Sequence, residues 1–262
     1  MRLDEWDSRH APVPNESLQV GLIAVLALGC SPPEGDVVVF AAASLRVAME
    51  DAVERWPGHV RISTAGSQVL RQQIEAGAPA DVFVAASFAH VRADRIARRL
   101  EAPALFACNR LILVVPPSSP IVRFEQLPEA ERIVLGTSEV PAGAYADELL
   151  VTAGRHFGGR WRERVLARVV SREIDVRQVL VKVTLGEADA ALVYGSDARL
   201  ANVRQISPPD GLGVTARYPI ALVRGAGPEA RDLLRWLGTE HTQTVLRAQG
   251  FDQCPVGAQP AP

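Results

Sequence analysis

From Asp36 onward, short uncharged apolar runs alternate with amphipathic stretches, and this alternation limits the possible folds more than any other feature of the chain. Val37-Val-Val-Phe-Ala41 holds no polar residue, as expected of a strand buried on both faces. It runs through Ala42-Ala43-Ser44 into a helical stretch ending near Trp56, with Leu45, Ala48, Met49, Ala52 and Val53 on one side. Pro57-Gly58 stops it. Strand Val60–Ile62, helix Gln68–Ala76, strand Asp81–Ala85 and a helix through Leu100 follow. Leu111–Val115 is a further strand, closed by Pro116-Pro117, where the chain is expected to cross to a second lobe.

The pattern then restarts as strand Ile133–Leu135, helix Ala144–Ala153, strand Arg168–Val170, helix Val176–Leu185 and strand Ala190–Val193. A return crossing is expected at Tyr218–Val223, followed by one long amphipathic helix over Pro228–Gln249. Alternating strands and helices imply mostly parallel sheets flanked by helices. The fold class is therefore α/β, with two lobes joined by two hinge crossings. Residues 36–110 and 219–262 form the first lobe and 111–218 the second.

Residues 1–35 read differently. Ser17 to Gly29 carries no charge and leads into Gly29-Cys30, an apolar core too short for a typical membrane span but suited to an export signal. Gly29-Cys30 resembles a bacterial lipoprotein cleavage site, which makes Cys30 the lipidation candidate. Removing this leader deletes five acids and two bases and moves the net charge from −2 to +1. Such a balance gives no single-sign field for nucleic acid, and membrane contact is expected only through a lipid anchor. Cys108 and Cys254 remain, and an exported protein can pair them, although sequence does not reveal their separation.

Open parallel sheets bind ligands beyond the carboxyl ends of their strands. The turns there are Ala42-Ala43-Ser44, Ala65-Gly66-Ser67, Val140-Pro-Ala-Gly143, Ile174-Asp175-Val176 and Val193-Tyr194-Gly-Ser-Asp197. Ser44, Ser67 and Asp175 are suited to cap helices, and Gly66, Gly143 and Gly195 to let backbone approach a ligand. A helix start carries unpaired N–H groups and a partial positive charge. Several such starts facing one cleft can surround a dianion with donors and no formal counter-charge. Any one of these turns, taken singly, is more simply an ordinary cap.

Several segments together are specific: Phe40-Ala-Ala-Ala-Ser-Leu45, Gln73-Ile-Glu-Ala-Gly-Ala-Pro-Ala-Asp-Val-Phe83, Val140-Pro-Ala-Gly-Ala-Tyr145, Asp175-Val-Arg177 and Val193-Tyr-Gly-Ser-Asp197. In that order, from about Val37 to Phe251, the chain resembles the periplasmic molybdate-binding proteins of bacterial molybdate ABC transporters, which have the type II periplasmic solute-binding fold. The resemblance implies an exported, periplasmic or lipid-anchored subunit that hands its anion to a membrane permease and its ATPase. It implies hydroxyl donors at Ser44, Ser67 and Tyr194 and backbone donors at Ala142 and Val176. The ligand would be molybdate or tungstate, with no cofactor. Gln68 stands where many relatives have another serine.

Two rivals are weighed against this reading. Another dianion such as sulfate keeps the fold, but it is smaller and would leave stretched hydrogen bonds in a rigid cavity. A serine hydrolase using Ser44 or Ser196 would need a nucleophile elbow of the form Gly-x-Ser-x-Gly, which the chain lacks. The cysteines are too scattered for a metal site, and His10, His59, His90, His156 and His241 show no ligand spacing and read as solvated surface. Arg92, Arg95, Arg98 and Arg99 read as a solvated basic helical face.

Overall fold

The computed structural model describes residues 35–199 and 201–254, so the leader with Cys30 and His10 lies outside the described residues. The strands are β1 (Asp36–Ala42), β2 (His59–Ala65), β3 (Val82–Val84), β4 (Ala104–Val115), β5 (Ile133–Gly136), β6 (Val169–Glu173), β7 (Ala190–Tyr194), β8 (Arg204–Ile206) and β9 (Thr215–Leu222). The helices are α1 (Arg46–Val53), α2 (Ser67–Glu75), α3 (Ala89–Arg92), α4 (Asp94–Ala97), α5 (Pro141–Phe157), α6 (Gly159–Leu166), α7 (Val176–Thr184), α8 (Gly195–Arg199), α9 (Pro228–Leu237) and α10 (Glu240–Ala248). Short 3-10 turns cover Ala43–Leu45 and Phe124–Glu129.

The strands lie in the order β2-β1-β3-β9-β4-β7-β5-β6, with β8 also paired to β4. β1 pairs in parallel with β2 and β3, and β5 in parallel with β6 and β7. The apolar runs take the inner places, as burial on both faces demands. β1, β5 and β7 are almost wholly buried, whereas the outer strands β2 and β6 alternate in exposure.

β4 links the two parallel sets. Ala104–Arg110 pairs antiparallel with β9, while Leu111–Val115 pairs with β7 and β8. The strand read from sequence at Leu111 thus begins seven residues earlier, because Phe106, Ala107 and Cys108 are also buried. Phe40, Leu70, Ile74, Phe83, Val91 and Ile96 pack on one face of the first sheet and a larger cluster fills the rest.

The expected single helix over Pro228–Gln249 is two helices. Thr239 is extended (φ −78°, ψ 161°), and its hydroxyl and that of Thr242 both donate to the Trp236 carbonyl, ending one helix and starting the next. The expected helix through Leu100 is likewise two short helices broken at extended Ala93. The four arginines therefore share no helical face, although all are exposed. Arg92 lies over the Phe88 ring, 4.9 Å from its centroid. His90 and His241 are part-buried instead of solvated. Burial, helped by Arg71, holds His90 neutral with its pKa lowered to about 4. Among the described residues no helix is long and apolar enough to cross a membrane.

Candidate anion site at the strand ends

Each parallel strand around the centre ends in a turn that begins a helix, so the turns gather at one end of the sheets. β1 delivers Ser44, β2 delivers Ser67, β5 leads to Ala142 at the start of α5, β6 leads to Val176 at the start of α7, and β7 ends on Tyr194. All five line one cavity, and all are buried, from 1% to 6% exposed. The cavity volume is about 10 Å³, about that of one water-sized probe, so it suits only a ligand of few atoms.

The donors follow from local structure. Ala142 and Val176 lie in the first turns of α5 and α7, where backbone N–H groups have no intrahelical acceptor. Ser67 opens α2, but Gly66, not Ser67, is the cap residue. The Ser67 hydroxyl instead accepts from the Ala86 N–H at 3.0 Å, leaving its own hydrogen to donate. Ser44 is likewise no cap. Its hydroxyl lies 2.9 Å from that of Tyr218, a partner with no local signal in the sequence. With Tyr218 as the donor in that bond, the Ser44 hydrogen is left for the cavity.

Tyr194 is the most telling member. Its ring is buried and its hydroxyl has no hydrogen-bond partner among the described residues. Burial raises its pKa well above the ordinary phenol value, so it remains a donor at any physiological pH. A native fold rarely leaves such a group unpaired without a reason.

Among the described residues no lysine, arginine or histidine lines the cavity, and the one carboxylate there, Asp175, is turned to its own helix. Asp175 caps α7 by accepting from the Gln178 N–H at 3.0 Å, as expected of that residue type. A ligand here would meet neutral donors and helix starts, an arrangement that favours an anion. The glycines serve packing more than ligand approach. A Cβ on Gly143 would lie 2.0 Å from the Thr137 carbonyl, and one on Gly66 would lie 2.6 Å from the Ile174 carbonyl. Gly195 has ordinary space around it.

The suspected nucleophiles are otherwise engaged: Ser196 accepts from the Asn109 amide at 2.7 Å and Ser44 pairs with Tyr218. Among the described residues no group of three or more His, Cys, Asp or Glu side chains could hold a metal ion.

The family described as bacterial extracellular solute-binding protein matches residues 37–252. The chain belongs to that family. Its members are solute-binding proteins, not enzymes, and their type II periplasmic binding fold accounts for the helix-flanked sheets linked through β4. The putative ABC transporter substrate-binding lipoprotein YvgL of Bacillus subtilis is 31% identical over 251 residues, covering 87% of this chain and 93% of its own. The molybdate-binding protein ModA of Haemophilus influenzae is 31% identical over 234 residues, covering 82% and 89%. Among solved structures, the substrate-binding domain of a putative molybdenum ABC transporter from Clostridium difficile superposes with a TM-score of 0.65 at 25% identity, covering 84% of this chain and 99% of that one. The periplasmic molybdate-binding protein of Azotobacter vinelandii superposes with a TM-score of 0.72 at 16% identity, covering 84% and 100%, a likeness of fold.

Proposed function

We propose that this solute-binding protein captures molybdate, and tungstate with it, for an ABC importer, closing on the anion between lobes formed by residues 36–110 with 219–262 and by 111–218. The observation that carries this reading is the cavity itself, where the starts of α2, α5 and α7 and the unpartnered Tyr194 hydroxyl meet without a formal cation. Ser44, Ser67 and Tyr194 donate through hydroxyls, Ala142 and Val176 through backbone N–H. A set of donors suits a fully deprotonated tetrahedral dianion. An anion that keeps a proton needs an acceptor for it, and a buried unmet group costs roughly 1–3 kcal/mol. The loaded protein delivers its anion to a membrane permease driven by an ATPase, and works outside the cytoplasm, free or held by a lipid on Cys30.

Thermal unfolding with molybdate, tungstate, sulfate and phosphate tests the ligand. At about one hundred times Kd, a ligand stabilises the native state by about 2.7 kcal/mol, which for a domain of this size raises Tm by roughly 5–10 °C. Molybdate and tungstate are expected to do so and sulfate and phosphate not. An equal shift with sulfate would overturn the assignment.

Tyr194→Phe is the sharper test of the site. Removing a hydroxyl that has no partner in the empty protein should leave its Tm unchanged or higher, while molybdate affinity falls about tenfold or more. Calorimetric titration and thermal unfolding read the two effects separately. A lower Tm with unchanged affinity would make Tyr194 a packing residue only.

A further inference from the structure

Beside the cavity, two side chains cross the cleft in opposite directions. Gln68, the second residue of α2, is 8% exposed, and its Nε2 donates to the Ile174 carbonyl at 2.7 Å. Arg177, the second residue of α7, donates through Nε to the Ala43 carbonyl at 2.8 Å. The pattern is reciprocal. Each side chain follows directly on a proposed ligand donor, Ser67 or Val176, and each grips the backbone just ahead of the opposing donor, Val176 or Ser44. Neither bond is needed to form its own helix, since both acceptors lie more than one hundred residues away.

Gly66 adds an independent observation. Its backbone (φ −57°, ψ 138°) suits any amino acid, so conformational freedom does not account for a glycine there. A Cβ at that position would lie 2.6 Å from the Ile174 carbonyl and 2.6 Å from the Gln68 amide. The two sides of the cleft meet there with no space for a methyl group.

We propose that Gln68 and Arg177 form a two-way latch that holds the cleft shut over the bound anion, and that Gly66 is the contact surface on which the latch closes. The inference rests on the proposed capture of an oxyanion between the lobes. Gln68 and Arg177 are positioning residues: they bring the donors of one lobe against those of the other without touching the ligand. Bonds made only on closing retard release and leave the encounter alone, so they act on koff. Loss of one such bond is expected to raise koff about tenfold, and loss of both about one hundredfold if they act independently.

The test is stopped-flow binding and release of molybdate by the full mature chain carrying Gln68→Met, Arg177→Met, both together, Arg177→Lys, or Gly66→Ala. Methionine matches glutamine in length and reaches the Nε position of arginine, and it removes the donor in both. The expected result is a koff raised about tenfold in each single methionine variant and about one hundredfold in the double, with kon within twofold and, for Gln68→Met, the Tm of the empty protein unchanged. Gly66→Ala, whose allowed backbone conformation leaves the separate lobes undisturbed, is expected to weaken molybdate binding at least tenfold through koff. Arg177→Lys keeps the charge but moves it off the Nε position, so it should release as fast as Arg177→Met. Full recovery of slow release by lysine, or wild-type koff in the methionine variants, would overturn the latch. Failure of the wild-type protein to bind molybdate at all would instead overturn the functional reading beneath it.

Discussion

Removing the Cys108–Cys254 disulfide by Cys108→Ser with Cys254→Ser is expected to cost about 5 kcal/mol of stability at 25 °C. The bond joins residues 146 apart in sequence, and constraining so long a loop removes much of the entropy of the unfolded chain, about 5 kcal/mol in the chain-entropy account. Whole domains are stable by only about 5–15 kcal/mol, so the loss is a large fraction of the total. The bridge also seats the end of the chain on β4. The Asp252 N–H donates to the Cys108 carbonyl at 2.9 Å, Arg110 pairs with Asp252 at 2.9 Å, and Phe251 packs edge-on against Tyr218 with ring centroids 5.5 Å apart. Tyr218 in turn holds Ser44. Reduction should therefore loosen the support of one anion donor as well as lower global stability. Guanidinium unfolding of the oxidised protein and the double serine variant measures the first effect, and molybdate titration the second. A difference below about 1 kcal/mol would show that the tail stays seated without the bond, and that the unfolded chain is already compact.

How much of this molecule is legible in its sequence depends on the range of the interaction. Apolar runs place β1, β5 and β7 within a residue or two, because burial on both faces is written directly in Val37–Ala41, Ile133–Leu135 and Ala190–Val193. The break at Gly238-Thr239 escapes a periodicity reading because the apolar stripe continues across it. What ends α9 there is hydroxyl bonding to the Trp236 carbonyl, which periodicity does not register. The first half of β4 escapes it too, because Asn109 and Arg110 interrupt the pattern, although Asn109 is fully buried and its amide donates to the Ser196 hydroxyl. For the site, strand ends and helix starts single out the five turns, the resemblance to molybdate-binding proteins names Ser44, Ser67, Ala142, Val176 and Tyr194 within them, and the fold brings these residues to one cavity. The partners that set their geometry, Tyr218, Ala86, Gln68 and Arg177, come from distant segments with no local signature of that pairing. Cys108 and Cys254 illustrate the same limit, since spacing alone leaves their pairing open and only the fold brings their Cα atoms to 5.1 Å.

Asp197→Asn should stabilise the ligand-free protein at pH 8 and change it little near pH 4. Asp197 is 6% exposed, its Oδ2 has no hydrogen-bond partner among the described residues, and burial raises its pKa to about 7 against the partial opposition of Arg177, with Asp175 adding to the rise. Of the other groups around α8, Arg110 on β4 is paired with Asp252, Arg199 on the same helix is exposed, and the Tyr194 and Tyr218 phenols remain neutral. In the unfolded chain the same carboxyl titrates near its usual value of about 3.9. Between those two values the folded protein holds a proton that the unfolded chain has released. The contribution is thus fully present below about pH 4, declines as pH rises, and is gone above about pH 7. A shift of about three pH units corresponds to roughly 4 kcal/mol, an upper figure since local relaxation and water entry reduce it. Asparagine keeps the size and the donor of the protonated acid and cannot ionise, so the substitution should abolish this decline. Urea unfolding of both proteins from pH 4 to pH 8 measures it directly. If the wild type loses no more stability over that range than Asp197→Asn does, Asp197 is ionised at neutral pH. Arg177, for all that its Nε serves Ala43, then compensates the carboxylate charge more fully than burial penalises it.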